Sequence, residues 1–186
     1  SWKSINAVPD KVKKIIVFAH GQEYLATRKT HLIKKSLDRA SHIICSSNYT
    51  LDLIEKLNIT NIKKSVIPPT YSLKETKKNN FLKKSTKKVS ILSITRLEKR
   101  KGIILVLKSL GYLHKEKLIK PFTWEICGEG NQESEIKKHI DSLDLTKYVK
   151  LLGRVSDEKK NQLLKKSDLF VMPSYKVENS IEGFGI

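Results

Sequence analysis

The stretch Val89 to Gly102, V-S-I-L-S-I-T-R-L-E-K-R-K-G, decides how this chain folds. Its first part, Val89 to Ile94, is rich in β-branched residues and contains no proline, which predicts a buried strand. Beyond Gly102 the apolar residues recur at helical spacing, as Ile103, Val106, Leu107, Leu110 and Leu113 show. The residues between the two patterns therefore form a strand-to-helix loop.

This loop carries Arg96 and Lys101, with Lys99 and Arg100 between them. In an open parallel sheet such loops lie at the carboxyl edge, where ligands bind. The following helix offers free N–H groups and a positive dipole end to an anion, and a guanidinium beside an ammonium suits a diphosphate. A solvated basic turn in a lysine-rich protein is the alternative, and both interpretations stay open from this stretch alone.

The rest of the chain shows two series of alternating strands and helices, which predict an α/β protein with two Rossmann-like parallel sheets. Helices are predicted from Tyr24 to Ala40, after the capping residues Ser46 to Asn48, and after the caps Asn131 and Ser156. The predicted strands of the first series are Val12 to Ala19, His42 to Cys45 and Lys64 to Pro68. Those of the second series are Val89 to Ile94, Phe122 to Cys127, Tyr148 to Leu152 and Leu169 to Met172.

The two series are separated by Tyr71 to Lys88, which contains seven lysines and few large apolar residues. We expect an interdomain linker over 71–88, between one domain at 1–70 and another at 89–186. A surface loop within one sheet is the alternative. The chain starts at Ser1, has one methionine and stops at Ile186 within a motif, so we expect a fragment in which both domains are incomplete.

The amino-acid composition of the chain indicates which classes of binding partner are expected. The 37 basic and 19 acidic residues give a net charge of +18, which favours nucleic acid, anionic membrane or phosphorylated substrates. Because the sequence has neither a cluster of stacking aromatics nor a basic recognition helix, no nucleic acid is expected. Within residues 1–186 no signal peptide is visible, and no apolar run approaches the ~20 residues that span a bilayer. A cytoplasmic protein is expected, with peripheral contact at the inner face of the cell membrane as an option.

Other single residues have simpler interpretations. Cys45 and Cys127 fall in apolar runs and are predicted to be buried free thiols. Trp2 and Trp124 are predicted to be packing residues. His20 ends the first strand and is followed by glycine.

The last residues, Glu178 to Ile186, follow the fourth strand of the second series. Two glycines surround an aromatic residue there, which suits a turn where backbone N–H groups approach a ligand. A carboxylate at the carboxyl edge could bind sugar hydroxyls or counter a cationic transition state.

With these motifs in place, the chain resembles glycosyltransferase family 4, the retaining, nucleotide-sugar-dependent enzymes of the GT-B fold. The segments that carry the resemblance are I-T-R-L-E-K-R-K-G (94–102), I-C-G-E-G (126–130), V-K-L-L-G-R-V-S (149–156), S-D-L-F-V-M-P-S (167–174) and E-G-F-G-I (182–186). The first domain is similar to the end of the family's amino-terminal domain through looser motifs: F-A-H-G-Q-E (18–23), I-I-C-S-S-N-Y-T (43–50) and V-I-P-P-T (66–70). The family usually has Asn-Gly after its V-I-P, where this chain has Pro69 and Thr70.

The resemblance implies a role for each matching residue. Arg96 and Lys101 would hold the donor's diphosphate and offset charge on the leaving nucleotide, so no metal and no further cofactor is expected. Glu182 would lie close to the donor sugar, and the family's second glutamate would lie beyond Ile186. Further donor contacts are implied at Gly130, Val155, Gly183, Phe184, Gly185 and Ile186. His20 would face the donor sugar, with an exposed loop histidine as the alternative.

The implied function is retaining transfer of a sugar from a nucleoside diphosphate sugar to an acceptor hydroxyl, on a glycan, a glycolipid or a small-molecule glycoside. Polysaccharide biosynthesis is the expected setting, and residues 1–186 alone are expected to be inactive. Two alternatives stay open: a nucleotide-sugar epimerase of the same fold, and a basic nucleic-acid-binding module.

Overall fold

The computed structural model describes residues 2–25, 29–70 and 88–177. The chain divides into two compact units, whose described parts are mainly 2–70 and 88–175. The predicted linker, apart from its last residue, lies outside the described residues. The predicted domain boundaries therefore stay predictions.

The first unit is built on a parallel sheet of three described strands, in the order β1-β2-β3. They are β1 (Ile16–Ala19), β2 (His42–Cys45) and β3 (Lys63–Val66). The helices are α1 (Trp2–Ile5), α2 (Thr30–Leu37) and α3 (Asn48–Glu55). Ala19 is in register with Cys45, and Cys45 with Val66, so all three strands end at one edge. The most deeply buried core side chains come from α2, α3 and β2: Ile33, Leu37, Ile43 and Ile54.

Three boundaries in this unit differ from the prediction. β1 begins at Ile16 rather than Val12, because the Val12 N–H donates to the Pro9 carbonyl in a turn at 3.1 Å. β3 ends at Val66 rather than Pro68, since proline has no N–H to extend a ladder. The predicted helix over 24–40 is regular only over α2, after a short 3₁₀ turn at Gln22–Tyr24, with residues 26–28 outside the described part.

The predicted cap of α3 is confirmed. The Ser47 hydroxyl accepts a hydrogen bond from the Thr50 N–H at 3.2 Å, which satisfies one of the donors that the first helical turn leaves open.

The second unit has a four-stranded sheet in the order β6-β5-β4-β7, with all described pairs parallel. Its strands are β4 (Val89–Ile94), β5 (Phe122–Cys127), β6 (Val149–Gly153) and β7 (Leu169–Phe170). Its helices are α4 (Ile103–Lys115), α5 (Glu133–Ser142) and α6 (Asp157–Lys166). The predicted strand Val89 to Ile94 and the helix after Gly102 are confirmed.

Other boundaries in this unit are corrected. β6 runs to Gly153 rather than Leu152, and β7 has two residues instead of the predicted run to Met172. The ladder of β7 ends early because the Val171 carbonyl accepts a hydrogen bond from the Ser93 hydroxyl, at 2.6 Å. In a longer strand this carbonyl would accept from a backbone N–H of β4 instead.

The predicted helix caps had different outcomes. Ser156 caps α6 as predicted, since its hydroxyl accepts from the Lys159 N–H at 3.2 Å. The prediction for Asn131 is wrong: Gln132 is the first flanking residue of α5, and its side chain makes no capping hydrogen bond. The start of α5 is set instead by the Gln132 N–H, which donates to the Leu97 carbonyl in another loop at 2.9 Å.

A buried polar relay ties the middle of this sheet together. The indole N–H of Trp124 donates to the Ser93 hydroxyl at 3.1 Å, and that hydroxyl donates to the Val171 carbonyl. Trp124 and Ser93 are both fully buried, so each polar group finds its partner inside the protein rather than in water.

The predictions for the cysteines and tryptophans are confirmed. Cys45 and Cys127 are buried free thiols, and burial raises the pKa of each. Trp2 and Trp124 are buried in the two cores. Among the helices in the described parts of the chain, none is long and apolar enough to cross a membrane.

Candidate functional site

The carboxyl edge of the second sheet gathers several loops. Ile94, at the end of β4, is in register with Cys127, and Cys127 is in register with Gly153. Three loops therefore start at the same edge, after β4, β5 and β6. We call residues 95–102, which join β4 to α4, the central loop.

On one side, the central loop is bonded to the loop after β5 through the backbone. The Thr95 N–H donates to the Cys127 carbonyl and the Leu97 N–H to the Glu129 carbonyl, both at 2.9 Å. Together with the bond from Gln132 to the Leu97 carbonyl, these contacts use both backbone groups of Leu97. The two loops thus continue the pairing of β4 and β5 past the ends of the strands.

On its other side, the central loop contacts the segment after β7. The Tyr175 N–H donates to the Arg100 carbonyl at 2.9 Å. A Cβ at Gly102 would lie 2.4 Å from the Pro173 carbonyl oxygen, and Gly102 has a positive φ of 70°. Glycine is therefore required at Gly102, both for its backbone conformation and for its close contact.

The loop after β5 also depends on glycine. A Cβ at Gly130 would lie 2.3 Å from the Leu97 carbonyl oxygen, and one at Gly128 would lie 1.8 Å from the Thr95 carbonyl oxygen. These are backbone atoms that cannot rotate away. Gly130, which the resemblance assigns to the donor, thus has a structural reason of its own: it lets the two loops meet.

The basic residues of the central loop have different environments. The Arg96 side chain is 68% exposed, whereas Arg100 and Lys101 are 6% and 7% exposed. The central loop is therefore not a uniformly solvated basic turn, which was the alternative interpretation of its sequence. The loop brings Arg96 and Lys101 to the same edge of the sheet, immediately before α4.

An acidic residue lies at the centre of these cations. One carboxylate oxygen of Glu98 is 2.9 Å from Nη1 of Arg96, and its other oxygen is 3.3 Å from Nε of Arg100. Glu98 was not among the site residues predicted from the sequence. The available signal was one carboxylate among four cations in R-L-E-K-R-K, which resembles ordinary charge alternation on a surface.

The start of α4 adds an electrostatic feature. Its flanking residue, Gly102, has no side chain to cap the helix. The first N–H groups of a helix have no partner within the helix and carry a partial positive charge. This helix start follows directly after the buried Lys101, so both features favour an anion at the same place.

Two other predicted residues have well-defined surroundings. Val155, after β6, is half-buried and packs against Leu92, Cys127 and Leu163. His20, after β1, belongs to the first unit; it is exposed, and its backbone N–H donates to the Glu23 carboxylate at 2.9 Å.

The remaining predicted residues lie outside the described part of the chain: Glu182, Gly183, Phe184, Gly185 and Ile186. Their placement at this edge stays a prediction. Within residues 2–25, 29–70 and 88–177, no three His, Cys, Asp or Glu side chains are grouped so that they could hold a metal ion.

A parallel sheet with a cationic strand-to-helix loop at its carboxyl edge defines an α/β protein of the Rossmann-like class. The family described as Glycosyl transferases group 1 matches residues 74–186, more than half of the chain, and the chain belongs to this family. The amylovoran biosynthesis glycosyltransferase AmsK of Erwinia amylovora is 28% identical over 120 residues, covering 64% of this chain and 27% of AmsK.

Solved structures are similar in fold. HepE of Anabaena, in complex with UDP and glucose, has a TM-score of 0.67 and 18% identity, over 87% of this chain and 46% of HepE. The pneumococcal O-GlcNAc transferase GtfA, in complex with UDP and GlcNAc, has a TM-score of 0.61 and 22% identity, over 82% of this chain and 28% of GtfA. The predicted GT-B fold class is confirmed, and the chain spans less than half of each of these proteins.

The contact at Gly130 leads to a first test. We expect Gly130→Ala in the full-length protein to reduce the free energy of unfolding by about 3 kcal/mol, the upper end of the usual cost of overpacking. Gly153→Ala is the matched control: Gly153 has a φ of 63° and no atom within 4 Å of an added Cβ. The control should lose only about 1 kcal/mol, from its left-handed backbone. Urea denaturation measures both, and equal stability of Gly130→Ala and the parent would contradict a structural role.

Proposed function

We propose that the whole protein transfers a glycosyl group from a nucleoside diphosphate sugar to an acceptor hydroxyl, with retention at the anomeric carbon. Membership of the glycosyl transferases group 1 family supports the transfer reaction. The UDP complexes of HepE and GtfA support a nucleotide-sugar donor. The observation that carries the proposal is the central loop, which presents Arg96 and Lys101 beside the start of α4.

In this proposal Arg96 and Lys101 bind the diphosphate of the donor. Negative charge grows on the diphosphate as its bond to the sugar breaks, so cations fixed beside it stabilise the transition state more than the ground state. A buried ammonium acts more strongly than an exposed one, because less water screens it. Two cations and a helix start would supply this stabilisation without a metal or another cofactor.

The other donor contacts are proposed from the resemblance. Glu182 would lie near the donor sugar, and the N–H groups of Phe184, Gly185 and Ile186, next to Gly183, would bind sugar or phosphate oxygens. Val155 and Gly130 would line the nucleotide, and His20 would face the sugar. Val155 also packs against a buried apolar cluster, so only the part of its side chain that stays exposed could contact the nucleotide.

The acceptor is proposed to be a glycan or a glycolipid. AmsK, which is similar to this chain over 120 residues, is named for amylovoran biosynthesis, and this supports polysaccharide biosynthesis as the setting. We also propose a cytoplasmic protein with peripheral contact at the anionic inner face of the cell membrane. The net charge of +18 supports this contact, because basic residues near an anionic surface attract it over a Debye length.

The reaction can be tested with the full-length protein and a panel of nucleotide sugars. We expect one donor to raise the melting temperature, since a ligand that binds only the folded state stabilises it. With that donor and an acceptor, NMR of the product should show the anomeric configuration of the donor. An inverted product would refute retention. A donor converted to its epimer without transfer would instead support an epimerase.

The assigned cations give a second test. Arg96→Ala and Lys101→Ala should each weaken donor binding or turnover by roughly 2–3 kcal/mol, the scale of a lost charge-assisted contact to a phosphate. Lys99→Ala is the matched control, because Lys99 is an exposed cation of the same turn. Steady-state kinetics with a check of folding by circular dichroism measures the effects. Parent-like kinetics in both variants would refute the assigned roles.

The membrane contact has its own test. The full-length protein should sediment with vesicles that contain anionic lipid and much less with neutral vesicles, and added salt should reduce the bound fraction because it screens the attraction. Equal binding to both kinds of vesicle, or none to either at low salt, would contradict the proposed contact.

A further inference from the structure

The Glu98 carboxylate joins two guanidinium groups that have very different environments. It forms ion pairs with Arg96, whose side chain is 68% exposed, and with Arg100, which is only 6% exposed. Glu98 itself is 31% exposed, so the pair it forms with Arg96 lies at the boundary between protein and solvent. The buried Arg100 thus anchors the Glu98 carboxylate, and this carboxylate in turn holds the exposed Arg96 guanidinium.

The backbone fixes Glu98 in this position. The Glu98 N–H donates to the Arg96 carbonyl at 2.9 Å, and the Lys101 N–H donates to the Glu98 carbonyl at 2.8 Å. Both backbone groups are therefore used within the central loop. The carboxylate is in addition paired with the buried Arg100, so it is a less mobile partner than the exposed Arg96 side chain that it contacts.

An exposed arginine needs such a partner if it is to bind a ligand well. Its long side chain has many rotamers, and a ligand that selects one of them loses affinity to the ordering of the chain. An ion pair that holds the guanidinium before the ligand arrives removes part of this cost. A guanidinium has five N–H donors in a planar fork, so contact with one carboxylate oxygen leaves donors for a phosphate.

The charges of the loop permit this arrangement. Residues 96–101 contain four cations and one carboxylate, which leaves a net charge of +3. Because Glu98 shares its two oxygens between two guanidinium groups, only one of its oxygens contacts Arg96. The loop can therefore orient Arg96 and still attract an anion.

We propose that Glu98 is a positioning residue, which holds the Arg96 guanidinium in the orientation that meets the diphosphate of the donor. This inference rests on the proposed function, because it requires Arg96 to contact the diphosphate. Glu98 acts through Arg96 and does not itself contact the donor.

The experiment measures UDP binding by calorimetry and donor kinetics in the full-length protein. Glu98→Gln keeps the shape of the side chain and removes its charge. We expect its Kd for UDP and its KM for the donor to rise about tenfold, the effect of one weakened charged contact, while kcat falls less. Glu98→Asp, which keeps the charge, should recover part of the affinity. Glu129→Gln, an exposed carboxylate in the neighbouring loop, is the matched control and should bind UDP at least as tightly as the parent.

A double variant separates positioning from a merely structural role. In the Arg96→Ala background, Glu98→Gln should weaken UDP binding by less than about twofold, because the residue that it positions is gone. A structural role would instead lower the melting temperature and the affinity equally in both backgrounds. Parent-like or tighter UDP binding by Glu98→Gln, or full additivity in the double variant, would overturn the inference. If Arg96→Ala alone binds UDP like the parent, the proposed function of Arg96 fails, and the inference fails with it.

Discussion

The backbone pairing of Leu97 is the constraint on which the second unit's site depends. Its N–H donates to the Glu129 carbonyl and its carbonyl accepts from Gln132, so the central loop is fixed to the loop after β5. Leu97 itself is buried, and its neighbour Glu98 has extended backbone angles of −118° and 151°. The Glu98 N–H donates to the Arg96 carbonyl across Leu97, so a three-residue turn centred on the buried Leu97 brings Arg96 and Glu98 close together. The positions of Arg96 and Glu98 thus follow from a hydrophobic residue and its hydrogen bonds.

The opposite side of the central loop is held by sterics as much as by hydrogen bonding. Gly102 lets the Pro173 carbonyl approach, and Tyr175 binds the Arg100 carbonyl. A loop held on both sides can keep a cation such as Lys101 in a buried position, where a mobile turn would let it escape to water. Backbone contacts cannot do the same for Arg96, whose long side chain extends into solvent. Within the part of the chain that the structure describes, the ion pair with Glu98 is the contact that holds its guanidinium.

Sequence patterns predicted the parts of the fold that local chemistry determines. The strand Val89 to Ile94 and the caps Ser47 and Ser156 depend on residues next to one another, and all are confirmed. Two errors in the second unit arose where a distant residue decides. β7 is short because the Ser93 hydroxyl donates to the Val171 carbonyl, the next one after the strand. α5 begins where the Gln132 N–H donates to the Leu97 carbonyl, rather than at an Asn131 cap. Neither contact has a local signature.

The candidate site likewise contains residues that the sequence could predict and residues that depend on contacts the sequence does not reveal. Arg96 and Lys101 could be selected from sequence because cations before a helix start suggest an anion, and the structure places both in one loop. Gly130 was selected because the family resemblance implies a donor contact there, but its nearest constraint is the Leu97 carbonyl. Glu98 was missed because charge alternation in a lysine-rich chain does not reveal which carboxylate lies between two guanidinium groups. Only the two distances show it.

The total charge of the chain and the charge of the central loop act over different ranges. At physiological ionic strength the Debye length is about 8 Å, so most of the lysines that make up the +18 cannot influence a ligand at this loop. They give a diffuse attraction to anionic surfaces that salt removes. Arg100 and Lys101 are buried, where water and salt screen them far less. Under the proposed function, selectivity for a diphosphate over other anions would therefore come from the geometry of the central loop, and a variant that changes this geometry at constant net charge should lose more affinity than one that only removes a distant lysine.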